Sequence, residues 1–369
     1  MVRVLSLTPY VFLPAKNGGQ KNIDLFNKYL SQHVDFICAT VDGNANELAD
    51  CYETITLFSS SKTRYINFLN FFRIRKLILS RKVTHLLIEH PYFGWLALLL
   101  KLFTPVKLIV HSHNIEALRF KTLGKWWWRI LWIYEKLVHK IADYNLFITN
   151  EDKIYSIVHY GLAEAKCLVA TYGIGWNAPP LEPVKQQAKL DLKKKHNIQE
   201  DEMIALFVGA FDYKPNFDAF KVIDKSICPL LKEMHLPFKI LVCGPHLPLD
   251  ATKNPDIIIA GFVDDVNIYF RGADVFINPV TDGGGIKTKL VEALANNTNA
   301  VSTLEGAFGI DATICNGKLL LTEDHDWVKF AEKMKDSIQI KSDITPEFYQ
   351  HFYWGNIAQK VAKFISTNA

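Results

Sequence analysis

The chain has 369 residues, with 42 Lys and Arg against 38 Asp and Glu, and is 49% hydrophobic and 12% aromatic. This composition excludes a disordered or low-complexity chain, and a net charge of +4 is too mild to argue for nucleic acid. The length exceeds what one hydrophobic core usually serves, so two domains are expected.

Taken in order, residues 2–7 read as a short strand followed by a proline. The apolar core there is too brief for a signal peptide, and the run 95–100 is stopped by Lys101 well short of a membrane span. A cytoplasmic protein with no transmembrane helix is expected. Gly18-Gly19 then lies between that strand and a helical pattern carried by Ile23, Phe26 and Leu30. Paired glycines at a first strand–helix turn let backbone approach a phosphate, and a plain tight turn explains them equally well.

Further strands are expected at 36–40, 85–89, 107–111, 145–149 and 166–170. Between them, residues 65–82 and 119–134 interleave arginines and lysines with Phe68, Phe71, Phe72, Trp126, Trp127 and Trp128. Such a mixture suits the surface of an anionic membrane, or helices that pack aromatics inward and bases outward. His111-Ser-His113-Asn-Ile-Glu116 ends a buried strand and so brings polar side chains to the sheet edge. The His-x-His pair lacks further ligands beside it, and no metal site is expected.

Residues 173–199 hold Pro179, Pro180, Pro183 and a lysine-rich stretch, which read as a linker plus one polar helix. Strands recur at 205–208, 239–242, 257–260, 275–277, 300–302 and 318–321. Uninterrupted Val, Ile and Leu runs suit strands buried on both faces, and their alternation with helices predicts doubly wound α/β domains. After the third of these, Phe262 and Val263 follow Gly261 in a loop fit to read a nucleobase, or simply to lead into an Asp-capped helix. Asp324-His-Asp326 follows the last strand and is expected to cap a helix rather than bind a metal–nucleotide. The segment 348–365 reads as a terminal amphipathic helix.

The most informative stretch is Asp282-Gly283-Gly284-Gly285-Ile286-Lys287-Thr288-Lys289, which runs into an apolar helical face at Leu290, Val291 and Leu294. A glycine loop feeding a helix start exposes backbone N–H groups and favours an anion. Lys287 and Lys289 sit at the end where lysines do least for helix stability, a conflict that a phosphate or diphosphate resolves. Glu292 is then placed to accept hydrogen bonds from sugar hydroxyls. The plain alternative is a glycine turn with solvated lysines and a Lys289–Glu292 pair three residues apart.

Together these positions resemble the family-4 glycosyltransferases of the GT-B fold. The likeness runs through Gly18-Gly19, His113-Asn114, Ala142-Asp143, Tyr172-Gly173-Ile174, Val208-Gly209 and Gly261-Phe262-Val263. It continues over the stretch 273–279, Lys287 to Leu294, and Val301-Ser302-Thr303 with Gly306 and Gly309. It implies two Rossmann-like doubly wound domains facing a central cleft. Residues 1–172 would form an acceptor-binding domain, 173–199 a linker and 200–345 a nucleotide-sugar-binding domain. Residues 346–369 would then form a helix crossing back to the first domain.

The resemblance implies a retaining, metal-independent hexosyltransferase without cofactors, using a UDP- or GDP-linked donor. Its acceptor would be a saccharide or lipid-linked molecule, in cell-surface polysaccharide or glycolipid synthesis. Peripheral contact with the inner face of an anionic cytoplasmic membrane is expected, and no nucleic acid. His113 would be catalytic, orienting the donor sugar or sharing its developing charge. Gly18, Gly19, Phe262, Val263, Asp282, Gly283, Gly284, Gly285, Lys287, Thr288, Lys289 and Glu292 would bind the donor.

Glu292 takes the place of the second glutamate of the family's E-x7-E motif. The first falls on Gly284, with Asp282 nearby to substitute. Ala210 and Pro215 stand where the family's pyrophosphate Arg and Lys are expected, and Lys214 is one residue off. Lys287 and Lys289 are therefore expected to neutralise the diphosphate. The competing expectations are an inactive nucleotide-sugar-binding or membrane-surface subunit and a sugar-nucleotide epimerase on the same fold.

Overall fold

The structure is a computed structural model that describes residues 2–367. It comprises two units: one runs through Gly175 and resumes at His351, and the other is Trp176–Gln350.

The strands of the first unit are β1 (Arg3–Leu7), β2 (Asp35–Val41), β3 (Glu53–Phe58), β4 (His85–Glu89), β5 (Lys107–Ser112), β6 (Tyr144–Phe147) and β7 (Cys167–Val169). Among the described residues they form one sheet in the order β3-β2-β1-β4-β5-β6-β7, with every pairing parallel. Its helices are α1 (Gly18–Leu30), α2 (Leu69–Arg81), α3 (Gly94–Phe103), α4 (Glu116–Thr122), α5 (Trp128–Ile141) and α6 (Asn150–Tyr155).

Side chains alternate across this sheet with a period of two. Leu5, Leu86 and Leu108 join Ile74 of α2, Leu100 of α3 and Val138 of α5 in one core. Val4, Leu87 and Ile109 face the other way, onto Phe26 of α1 and Trp354. Both faces are thereby covered, as an all-parallel sheet requires.

The second unit has β8 (Met203–Val208), β9 (Phe238–Cys243), β10 (Ile257–Gly261), β11 (Val275–Asn278), β12 (Asn299–Thr303) and β13 (Leu319–Thr322), in the order β10-β9-β8-β11-β12-β13. Its helices are α7 (Glu182–His196), α8 (Lys214–Val222), α9 (Cys228–Glu233), α10 (Val266–Gly272), α11 (Thr288–Ala295) and α12 (Trp327–Ser337). α13 (Pro346–Phe352) leads to α14 (Trp354–Thr367), which returns to the first unit. There Trp354 is fully buried beside Phe26 and Tyr172, and Gly173 is the residue that admits it: a Cβ at 173 would stand 2.4 Å from the indole.

This is the doubly wound α/β architecture that the strand runs predicted, with one difference. β3 is absent from the sequence expectation, because Glu-Thr-Ile-Thr-Leu-Phe is a partly exposed edge strand and lacks the continuous apolar run of its neighbours. The polar helix expected between the sheets is α7, and it packs on α10. No helix among the described residues is long and apolar enough to cross a membrane.

Candidate functional site

In open parallel sheets, ligands bind beyond the carboxyl ends of the strands where the strand order reverses. In the second unit that point lies between β8 and β11. The loop leaving β11 is the triple-glycine segment. Gly283 and Gly285 have φ of +93° and +76°, values that favour glycine. A Cβ at Gly283 would also come within 2.5 Å of the Tyr213 hydroxyl, in the loop leaving β8.

Beneath it, Asn278 donates to Ser302 Oγ (3.1 Å) and to the Gly306 carbonyl (2.8 Å), which fixes the turn bearing Glu305. α11 opens at Lys287 with no side-chain cap. Its first N–H groups are left as donors at the positive end of the helix, where an anion is favoured.

The lysines do not both point away from the protein. Lys287 turns back to donate to the Gly283 carbonyl at 2.5 Å and the Gly285 carbonyl at 3.1 Å, with Glu305 at 3.7 Å. Burial pushes its pKa below the usual lysine value, with Glu305 opposing. Lys289 pairs with Glu292 at 2.5 Å, three residues on in the same helix. Asp282 accepts from the Gly283 N–H, and Thr288 is the first residue of α11. Gly284 lies between these two positive-φ glycines.

One loop of β10 belongs to the same sheet edge. The Gly244 N–H donates to the Gly261 carbonyl at 2.7 Å, and Phe262 follows with its ring 75% exposed; Val263 is half-buried. Asp265 caps α10 through the Asn267 N–H, and Asp326 caps α12 through the Lys329 N–H, both as helix caps rather than ligands.

In the first unit the order reverses between β1 and β4. Gly18 and Gly19 open α1, whose cap Asn17 accepts from the Gln20 N–H at 3.0 Å. Gly19 is exposed, and a Cβ there would meet nothing closer than 3.6 Å. The fold therefore does not itself demand glycine at 19.

His113 follows directly on β5, and beside it Glu89 ends β4 in register with His111. Glu89 Oε2 lies 2.8 Å from His113 Nε2 and 3.0 Å from His111 Nδ1, and all three residues are buried. Burial pushes the Glu89 carboxyl up, but the two histidines outweigh it and hold the group ionised. Burial holds His113 below the usual histidine value, hence neutral near pH 7. These three donor atoms lie within 4.8 Å of one another, a grouping that has the geometry to hold a cation.

Next to them, His90 has φ +62°, a rare backbone state for a side-chain-bearing residue, and such strain gathers at functional sites. Its ring stands 4.2 Å from that of His113, and its Nε2 is 3.1 Å from the Tyr10 hydroxyl. Asn22 of α1 approaches His113 at 3.5 Å. Glu116, the end of the His-Ser-His-Asn-Ile-Glu motif, is held by Arg119 and the Tyr92 hydroxyl and is spoken for structurally. Sequence reasoning singled out His113 and missed Glu89, His90, Tyr10 and Asn22. The Glu-His-Pro sequence closing β4 carried the same signal as the motif closing β5.

Residues 18–174 match the family described as Glycosyltransferase Family 4, and residues 202–339 match that described as Glycosyl transferases group 1. The two take in about four-fifths of the chain. Among curated proteins, an uncharacterized 44.6 kDa protein in the cps region of Klebsiella pneumoniae is 24% identical over 70% of this chain and 66% of its own length. The chitobiosyldiphosphodolichol beta-mannosyltransferase of Debaryomyces hansenii is 26% identical over 64% of this chain and 51% of its own. The chain thus spans somewhat under two thirds and about half of these relatives' lengths.

A glycosyltransferase from Rickettsia africae superposes over 100% of both chains with a TM-score of 0.74 at 16% identity. Anabaena Alr3699/HepE, solved with UDP and glucose, does so over 100% of both chains with a TM-score of 0.71 at 12% identity. At such identities the likeness speaks for the fold. With both sheets, both strand-order reversals and both family matches in hand, the chain belongs to the glycosyltransferases of the GT-B fold, a Family 4 domain followed by a group 1 domain.

Proposed function

We propose that the chain moves a sugar from a nucleotide-sugar donor to a saccharide or lipid-linked acceptor in cell-surface polysaccharide or glycolipid synthesis. The observation that carries this reading is the uncapped start of α11 behind the 282–287 loop, at the strand-order reversal of the second unit. Loop and helix amides, Lys287 and Lys289 receive the diphosphate, and Glu292 receives the ribose. Phe262 and Val263 lie against the base. UDP or GDP is the expected carrier, and the UDP seen in the Anabaena neighbour supports the first.

As the anomeric bond breaks, negative charge grows on the diphosphate and positive charge on the sugar ring. Preset donors aimed at the diphosphate lower the barrier, a single one by about 3–4 kcal/mol. For this, Lys287 exchanges its bonds to Gly283 and Gly285 for phosphate oxygens, and Lys289 divides its charge between Glu292 and the diphosphate. Gly18 and Gly19 offer further amides at the start of α1. His113, oriented by Glu89, orients the sugar or shares its developing charge. We read the reaction as retaining and metal-independent, with the departing phosphate helping to deprotonate the acceptor hydroxyl.

A donor-binding subunit without turnover is the second reading, favoured by Gly284 at the place of the first motif glutamate. Incubating purified protein with labelled UDP- and GDP-sugars separates the two. Donor hydrolysis or transfer that disappears in Lys287→Ala and Glu292→Ala supports the enzyme, whereas tight donor binding with no turnover supports the subunit.

A further inference from the structure

Where β4 and β5 end, the first unit buries polar atoms that its own hydrogen bonds do not satisfy. His111 is fully buried, yet among the described residues neither of its ring nitrogens has a hydrogen-bond partner. Glu89 Oε1, also buried, has none either. His111 Nδ1 lies 3.0 Å from Glu89 Oε2, but without the alignment of a hydrogen bond. The rings beside His111 are those of Phe26 at 4.4 Å and His113 at 4.7 Å, and the first offers no polar atom. Buried polar atoms are nearly always paired, and each exception calls for a water, an ion or a catalytic use.

An ion accounts for them together. Glu89 Oε2 stands 2.8 Å from His113 Nε2 and 3.0 Å from His111 Nδ1, and the three donor atoms lie within 4.8 Å of one another. A zinc ion with bonds of about 2.0–2.2 Å holds its ligand atoms about 3.3 Å apart, so the oxygen has only to back away and the nitrogens to draw together. Two imidazoles and one carboxylate suit Zn2+ or a neighbouring transition metal, and offer too few oxygens for Mg2+ or Ca2+. Three protein ligands leave one tetrahedral position open. His113 is 7% exposed while Glu89 and His111 are wholly covered, so entry runs past the His113 ring. The His-x-His pair lacks a third ligand in sequence because Glu89 arrives from the adjacent strand.

We infer that Glu89, His111 and His113 bind one transition-metal cation of the Zn2+ class, and that the bound ion holds the enzyme inactive. His113 Nε2 can give its proton to Glu89 or its lone pair to a metal, but not both. An occupied site therefore breaks the pairing that orients the His113 ring. The ion takes no part in sugar transfer; it competes with the arrangement that transfer uses. The site rests on geometry alone, and the inhibition rests on the role given to His113 under the proposed function.

Titrating the full chain with Zn2+ by calorimetry, and with Co2+ as its spectroscopic probe, tests both parts. One ion per chain is expected, with the visible absorption of tetrahedral Co2+, a raised melting temperature and no binding of Mg2+. Glu89→Gln and His111→Gln should each weaken Co2+ binding at least about 100-fold, since even the outer-sphere partners of metal ligands contribute 10- to 100-fold. Cys51→Ser, at the exposed cysteine, should leave the spectrum unchanged. Donor hydrolysis or transfer should fall as the site fills and return when a chelator removes the ion. No binding, a spectrum indifferent to Glu89→Gln and His111→Gln, or one lost in Cys51→Ser would overturn the site. The spectrum needs no turnover, so it reads the site separately from the reaction. A filled site with turnover unchanged would overturn the inhibition, and with it the role of His113, while leaving the ion in place.

Discussion

Glu89 Oε2 stands 2.8 Å from His113 Nε2, both side chains buried, the first at the end of β4 and the second just past the end of the adjacent β5. A carboxylate so placed fixes the imidazole ring and keeps the proton on the nitrogen that faces it. Hydrogen bonds to charged groups contribute about 1.5–3 kcal/mol. Glu89→Gln is therefore expected to lower kcat about 10- to 100-fold while KM for the donor changes little, with His113→Ala losing more. Steady-state kinetics on folded variants checks it. A rise in KM alone would mean that Glu89 serves binding, and an unchanged kcat would remove His113 from the chemistry.

Lys287 spans the glycine loop from inside, so its removal has two expected effects. Lys287→Ala should weaken UDP or GDP binding about 10- to 100-fold, the value of one charge-assisted contact. It should also loosen residues 283–285, whose carbonyls it holds. Calorimetric titration reads the first and amide exchange the second. Glu292→Gln should weaken nucleotide binding too, because it frees Lys289 but replaces the carboxylate that accepts from the ribose by a weaker, neutral amide acceptor. Tighter binding in that variant would show that the Lys289–Glu292 pair competes with the ligand.

Trp354 is fully buried against Phe26 and Tyr172 of the first unit. Truncating a buried tryptophan costs about 3–5 kcal/mol, so Trp354→Ala should lower the melting temperature of that unit by about 10 °C. Gly173→Ala should also destabilise it, because the indole has no room to retreat. A melting temperature within a degree or two of wild type for either would contradict this packing.

His90 gives a pH dependence with a defined sign. Burial, with His113 nearby, moves its pKa from 6.5 down to about 3. Between those values the unfolded chain holds a proton that the native chain does not. The corresponding stability is present above pH 6.5 and is lost as pH falls towards 3. Glu135, raised by burial to about 7, shifts stability the opposite way, so the comparison must be with a variant. Wild type should lose more melting temperature than His90→Asn on going from neutral pH to about pH 5. Parallel curves would show that His90 is not buried neutral.

The fold was legible because parallel strands buried on both faces leave runs such as Leu-Ile-Val and Phe-Lys-Ile-Leu-Val. β3 left no such run, and its place at the sheet edge explains why. The glycine loop was legible because three successive glycines before a helix start have few other uses. The inward turn of Lys287 was not: it depends on two carbonyls that the left-handed glycines leave pointing into the loop. Glu89 and His90 were passed over because a strand-end carboxylate is ordinary until its register with His111 is known. Lys289 and Glu292 form the pair that the plain helical alternative also anticipates, so their ligand roles rest on the ligand itself.

The central claim is that the loop 282–288 and the start of α11 hold the diphosphate of a nucleotide. A crystal structure of the chain with UDP tests it most directly. The account predicts phosphate oxygens on the amides of that loop, with Lys287 turned from Gly283 towards them and the ribose on Glu292. A nucleotide bound elsewhere, with Lys287 still closing its own loop, would contradict it.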